Sequence, residues 1–170
     1  VFFDQVFVPA ENVVGAIGGG WKIAISTLMY ERVVLTFARQ LQSEKLLREL
    51  VKDHDLSSPS GELADRIAEA CATRALAYSH LRGYAAGAKP GPEGSLDKLF
   101  WSESFQRLTR YALHRLGSAA AGGEAGAEGA EVVHQYLYSR GRTIAAGTSE
   151  IQRNIIAERL LELPRLTQKF

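Results

Sequence analysis

From Trp21 to about Lys52 the chain runs without a glycine or a proline. Ala24, Leu28, Leu35, Ala38 and Leu41 recur along it at helical spacing, which predicts one long helix with an apolar stripe. Glu31 falls on that stripe and Arg32 stands next to it. A carboxylate on an apolar face is costly unless it is paired or protonated. Two explanations fit. One is an ion pair with an arginine of another helix. The other is a carboxylate set in an apolar site so that its pKa rises, as a general base working near neutral pH requires.

Two more long helices follow. Glu62 to about Ala86 carries Leu63, Ile67, Ala70, Ala77, Leu81 and Tyr84 at helical spacing, with Ser60 placed to cap it. Lys89-Pro90-Gly91-Pro92-Glu93-Gly94 is a loop. A third helix starts near Ser95 and ends by Gly117, with Trp101, Phe105, Leu108, Ala112 and Leu116 as its stripe. That stripe predicts core rather than a platform for nucleic acid. Gly117 to Gly129, rich in Ala, Gly and Glu, reads as a loop with at most a helical turn, and a shorter helix resumes from Gln135 to Arg142. His134 falls at its start as a surface or capping residue. His80 and His114 carry no assignment. His54, between Asp53 and Asp55, sits in a polar break without further ligands and reads as solvated loop rather than a metal site. Cys71, between Ala70 and Ala72, reads as a small core residue; as the single cysteine it excludes an intrachain disulfide.

Only Val1-Phe2-Phe3-Asp4-Gln5-Val6-Phe7-Val8-Pro9 reads as a strand or extended segment. One strand cannot satisfy its backbone groups alone, so it points to a sheet completed by sequence outside this chain. Gly18-Gly19-Gly20 lacks a following Gly-Lys-Ser/Thr and a βαβ setting, so it predicts a hinge into the first helix rather than a phosphate loop. The expected division is residues 1–20 as the end of a β-domain and a linker, and residues 21–170 as an all-α, up-and-down helical bundle. A net charge of +1 gives no electrostatic case for nucleic acid, and no apolar run approaches the roughly 20 residues that cross a bilayer.

The last stretch, Ile144 to Leu161, is the most informative. Ala145-Ala146-Gly147 ends one helical pattern and Thr148 opens another. Thr148 or Ser149 can cap it, and Glu150 in its first turn complements the helix dipole. Ile151, Ile155, Ile156, Leu160 and Leu163 form the expected apolar face, and Pro164 stops the helix.

This stretch, from Tyr136-Leu137-Tyr138-Ser139-Arg140 through Pro164, resembles the closing signature of the acyl-CoA dehydrogenases. Leu28-Met29-Tyr30-Glu31-Arg32 resembles the Leu-x-x-Glu-Arg of the first helix of their C-terminal domain. Phe3 to Pro9, Asn12 to Gly15 and Gly18 to Trp21 resemble the passage into that helix from the family's middle β-domain. The resemblance implies a flavoenzyme that oxidises an acyl-CoA to its 2-enoyl-CoA: a glutamate removes the α-proton while the β-hydride passes to FAD. Many members place the base just before Gly-Thr, where this chain has Ala146. A subset similar to isovaleryl-CoA dehydrogenase places it in the first helix, at the position of Glu31. The resemblance then implies Glu31 as catalytic base, with Arg32 at the CoA or active-site entrance. Ala146 and Gly147 would line the substrate pocket, and Thr148, Ser149 and Glu150 would meet FAD. It also implies an electron-transfer acceptor and a homo- or hetero-tetramer, while the single Cys71 fits a reducing, cytoplasmic location. Where the family usually carries Arg-x-x-Phe-Gly, which reaches the FAD of a neighbouring subunit, this chain has Lys52-Asp53-His54-Asp55-Leu56. Divergent bacterial members similar to sterol side-chain dehydrogenases share that departure. A non-catalytic assembly subunit, or another flavin oxidase or monooxygenase on the same fold, are the alternatives.

Overall fold

The computed structural model describes residues 1–52, 61–119 and 126–165, with the side chains of Val33 and Val34 excepted. It is an all-α bundle: α1 (Gly20–Val51), α2 (Gly61–Ala85), α3 (Glu93–Leu116), α4 (Gly126–Arg142) and α5 (Ser149–Arg159), preceded by a 3₁₀ turn at Ala10–Asn12. No strand occurs among the described residues. Val1 to Pro9 has no regular structure, and Phe2, Phe3, Phe7 and Val8 are exposed. Residues 53–60 of the expected polar break, with His54, the Ser60 cap and the Asp53 to Leu56 part of the departure from the family motif, and residues 120–125 of the expected Gly117 to Gly129 loop lie outside the described residues.

Helix α3 is the hub. It packs against α1, α2, α4 and α5, while α1 and α2 also touch each other. Its stripe is the one predicted: Trp101, Phe105, Leu108 and Ala112 are buried, and Leu46, Leu47 and Leu50 of α1 pack against the first three. Trp101 stacks on Phe105 at 5.3 Å between centroids, and its indole N–H donates to Arg39 O (2.9 Å) and Ser43 Oγ (3.0 Å), tying α3 to α1. Burial of this cluster is the main stabilising contribution. Gly117, with φ +57°, closes α3, a backbone conformation open to glycine.

Elsewhere the inward faces differ from the expected stripes. On α1, Ala24, Leu28, Ala38 and Leu41 are exposed, and Thr36, Gln40 and Ser43 are buried instead. The buried face of α2 includes Leu63, Ala70 and Ala77 as predicted, but Arg66 and Thr73 complete it, while Leu81 is exposed. Arg66 is tolerated inside because it pairs with Glu69 (2.8 Å), which also binds Arg107 of α3 (2.6 Å). Cys71 is exposed, on the outer side of α2, not in the core. Helix α4 begins nine residues before the expected Gln135, because alanine and glutamate extend it through the Ala/Gly/Glu stretch. His134 therefore lies within α4, exposed and stacked on Tyr138, not at the helix start. No helix among the described residues is long and apolar enough to cross a membrane.

Candidate functional site

The Ala-Gly-Thr stretch is a turn between α4 and α5. Ala146 has φ +57° and Gly147 φ +98°, so two successive residues are left-handed. Glycine tolerates this; alanine does so at a cost of about 1–2 kcal/mol, and persists only where the surroundings enforce it. Two buried side chains enforce it here. Lys98 of α3, 2% exposed, donates to Gly147 O (2.6 Å) and Thr143 O (3.3 Å). Gln152 of α5, 0% exposed, donates through Nε2 to Ala146 O (3.0 Å) and Gly147 O (3.3 Å). Gln106 of α3 adds bonds to Thr143 Oγ1 (3.0 Å) and Ser139 O (3.2 Å), fixing the end of α4. Burial, then the nearby Arg39 and Arg32, lowers the Lys98 pKa from its ordinary value.

Thr148 caps α5: its Oγ1 accepts from Ile151 N at 3.4 Å, and Gln152 N donates to Thr148 O. Ser149 is buried, and its N–H is taken by Thr143 O, while its hydroxyl has no partner among the described residues. Glu150 is exposed in the first turn. Hydrogen bonds from its own backbone N–H and the Thr148 hydroxyl hold its carboxyl below the usual range. The buried side of α5 is thus polar, Ser149 and Gln152, whereas the predicted apolar face is reversed: Ile151, Leu160 and Leu163 are exposed, with Ile155 and Ile156 half-buried. The helix ends at Arg159, before Pro164 is reached; Leu160 N and Leu161 N both bond to Ile156 O.

Beside the start of α5 lies a cleft of about 320 Å³ between α3, α4 and α5. Arg107, Arg110, Arg140 and Arg153 line it together with Ser149 and Glu150. Arg153 is held by Glu103 (2.6 Å) and Arg140 by Gln106 O (3.3 Å), so the guanidinium groups are oriented rather than free. A cleft with more arginines than carboxylates suits an anion such as a phosphate.

Glu31 lies apart from this turn in sequence and is exposed on α1. It borders an open groove of about 640 Å³ with Lys22, Ile23, Ser26, Thr27 and Tyr30. Its apolar neighbours are at the surface of this chain, so burial in the bundle is not what singles it out. Neither is an ion pair with another helix, which Glu31 lacks among the described residues. Arg32 turns the other way. It is half-buried, its Cβ faces Gly94 at the start of α3, and its Nε has no partner among the described residues. Burial lowers its pKa from the ordinary value, Glu31 opposes this, and Arg159 of α5 reinforces it. The structure therefore assembles Ala146, Gly147, Thr148, Ser149 and Glu150 into one turn and helix start, with Lys98 and Gln152 beneath it. Those two were missed. A lysine between Asp97 and Leu99 and a glutamine in an amphipathic helix give no sign of burial, although Lys98 stands one turn before Trp101 and Ser102 on the inward face of α3.

Comparison with known proteins agrees with this geometry. Residues 18–161 match the family described as acyl-CoA dehydrogenase, C-terminal domain. The acyl-CoA dehydrogenase IpdE1 of Mycobacterium tuberculosis is 36% identical over 172 residues, covering 97% of this chain and 44% of the relative. Acyl-CoA dehydrogenase FadE34 of the same organism is 36% identical over 168 residues, covering 97% of this chain and 23% of the relative. Among solved structures, an acyl-CoA dehydrogenase from Geobacillus kaustophilus superposes with a TM-score of 0.75 at 25% identity, covering 94% of this chain and 43% of that one. A Tcur3481-Tcur3483 steroid ACAD, as a G363A variant, gives 0.78 at 23% identity, with 96% and 45% covered, a likeness of fold. The chain spans less than half the length of these relatives. With most of its length matched, and with the helical bundle and capped Gly-Thr turn in place, the chain belongs to the acyl-CoA dehydrogenase family, to its C-terminal domain.

Proposed function

We propose that this domain serves an FAD-dependent acyl-CoA dehydrogenase that forms a 2-enoyl-CoA, and that residues 1–20 are the passage into it from a β-domain. The observation that carries the reading is the Ala146–Glu150 turn, rigidly held beside an arginine-lined cleft. The N–H groups of Ala146 and Gly147 donate to nothing among the described residues, so they are available to a thioester carbonyl. Hydrogen bonds to that oxygen acidify the α-carbon. The Glu31 carboxylate takes the α-proton, and its place on α1, open to the groove, leaves it accessible to a substrate enclosed from the far side by further protein. The family resemblance assigns Arg32 to the CoA entrance, although here its side chain turns inward, away from the Glu31 groove, with its Nε unpartnered among the described residues. The unpaired Ser149 hydroxyl and the arginines at the cleft fit a diphosphate, which Thr148, Ser149 and Glu150 would meet. When bound there, FAD supplies the acceptor for the β-hydride.

A second reading is a helical subunit that completes a partner's flavin site. Exposed Phe2, Phe3, Phe7, Ile17 and Trp21 before and at the start of α1 favour a covering partner or domain. The test is flavin bleaching by acyl-CoA in the full-length protein, wild type against Glu31→Gln. Bleaching in the wild type alone, with FAD retained in both, supports Glu31 as base. Wild type that carries no flavin until a partner chain is added supports the subunit reading. Turnover that survives Glu31→Gln refutes the base assignment and points to another flavin reaction.

A further inference from the structure

Of the lysines the structure describes, Lys98 alone is buried. An ammonium inside a helical bundle is costly, and no ion pair offsets that cost within the described residues: Arg39 and Arg32 repel it more than Glu103 and Glu150 attract it. What it touches is backbone. Its Nζ takes Gly147 O and Thr143 O, while Gln152 takes Ala146 O and Gly147 O from the opposite side. Thr143 O and Gly147 O are drawn toward α3, and Ala146 O and Gly147 O toward α5. Because a peptide is planar, fixing each carbonyl fixes the N–H of the following residue in the opposite direction. The Ala146 carbonyl governs the Gly147 N–H, and the Gly147 carbonyl governs the Thr148 N–H.

A fit this close leaves no slack. A Cβ placed on Gly147 would stand 2.5 Å from Gln152 Nε2. A helix connection needs no buried cation for its own sake, since helix ends are ordinarily satisfied by local caps or water. We propose that Lys98 and Gln152 act together as positioning residues: Gln152 holds the Ala146 carbonyl and with it the Gly147 N–H, Lys98 clamps the Gly147 and Thr143 carbonyls on either side of it, and the turn so meets the acyl thioester in one orientation. This rests on the reading above that the turn lines the acyl pocket.

The test uses the full-length flavin-bearing protein as wild type, Lys98→Met and Gln152→Met. Two readouts separate positioning from mere support. One is the split between kcat and KM for the acyl-CoA. The other is the red shift of a bound 2-enoyl-CoA bearing a conjugated aryl group, whose absorbance reports polarisation of the thioester carbonyl. The expected result is unchanged flavin content, kcat lower by about 10- to 100-fold, and a diminished red shift, because a small misplacement of a positioning group acts mainly on the reacting geometry. Gln152→Met acts in the same direction and at least as strongly, since it alone frees the Ala146 carbonyl, and it carries the test if Lys98→Met does not accumulate folded. Variants that keep flavin, kcat and red shift at the wild-type level while losing only thermal stability overturn the positioning role and leave the dehydrogenase reading standing. Wild type that neither takes up flavin nor shifts the probe overturns the functional reading, and the positioning role with it.

Discussion

Gly147→Ala tests how tightly the turn is held. Gly147 sits at φ +98°, where an L-residue is strained, and the added methyl carbon would meet Gln152 Nε2 at 2.5 Å and Ile151 Cγ2 at 3.7 Å. The backbone strain alone costs about 1–2 kcal/mol. The amide is the end of a side chain and could swing away on a surface, but Gln152 is fully buried and has nowhere to go. Moving it forfeits its bonds to Ala146 O and Gly147 O, at about 1 kcal/mol each. The sum is about 3–4 kcal/mol, a large part of a domain's stability of roughly 5–15 kcal/mol. Ala146→Gly is the control. It relieves φ +57° but frees the unfolded chain, so the two effects nearly cancel and stability stays within about 1 kcal/mol of wild type. Urea unfolding followed by circular dichroism, with unchanged m-values, measures both. A loss below about 1 kcal/mol for Gly147→Ala would refute the claim that Lys98 and Gln152 leave the turn no freedom.

Trp101→Phe removes the indole N–H bonds to Arg39 O and Ser43 Oγ and opens a void in the core, costing about 2–3 kcal/mol. Since the other tryptophan, Trp21, is exposed, the variant should also lose its blue-shifted fluorescence, which an emission spectrum reads directly. Thr148→Ala removes the cap of α5 and should lower stability by about 1 kcal/mol, with Thr148→Ser largely retaining it, as thermal melts would show. Burial raises the Glu93 carboxyl, but its own backbone N–H, the Tyr84 hydroxyl and Gly91 N–H together hold it below its ordinary 4.5. Its contribution is therefore full above pH 4.5 and is lost as pH falls through the depressed folded value, so the acid limb of stability should flatten in Glu93→Gln.

The helices α1 to α3 were legible because glycine and proline cluster between them, and only Gly83, in the last turn of α2, falls within their interiors. The α3 stripe was legible for a second reason: Trp101, Phe105 and Leu108 are large enough that no other face could be the inner one. Burial on α1, α2 and α5 was not. Those helices each touch only part of the bundle, and their inward positions hold Gln40, Ser43, Arg66, Ser149 and Gln152; Ser43 is met by Trp101 of α3, Arg66 pairs within α2 and Gln152 binds turn carbonyls, contacts that a periodic pattern does not announce. Periodicity reports where apolar residues are, and on α1 they lie outside, at Leu28 and Leu41. The Thr148 cap and the acidic first turn were readable locally, because a cap is a contact between residues three apart. Lys98 was not, because its partners lie 45 and 49 positions away.

Among the described residues, helices α4 and α5 approach no helix backbone but that of α3, whereas α1, α2 and α3 form a closed triangle of mutual contacts. The architecture is thus a three-legged base with two spokes, and the Ala-Gly-Thr turn joins the tips of the spokes. Opening of α5 breaks one helix interface, and opening of α4 one interface and the Gln42–Gln135 bond to α1 (2.7 Å); opening of the base breaks at least two interfaces. Amide exchange should accordingly fall into two tiers, with α4 and α5 exchanging through partial openings that leave the triangle intact. In such a scaffold the two spokes can detach and re-seat without unfolding the base, so any ligand that grips the turn adds its binding energy to the weaker tier first.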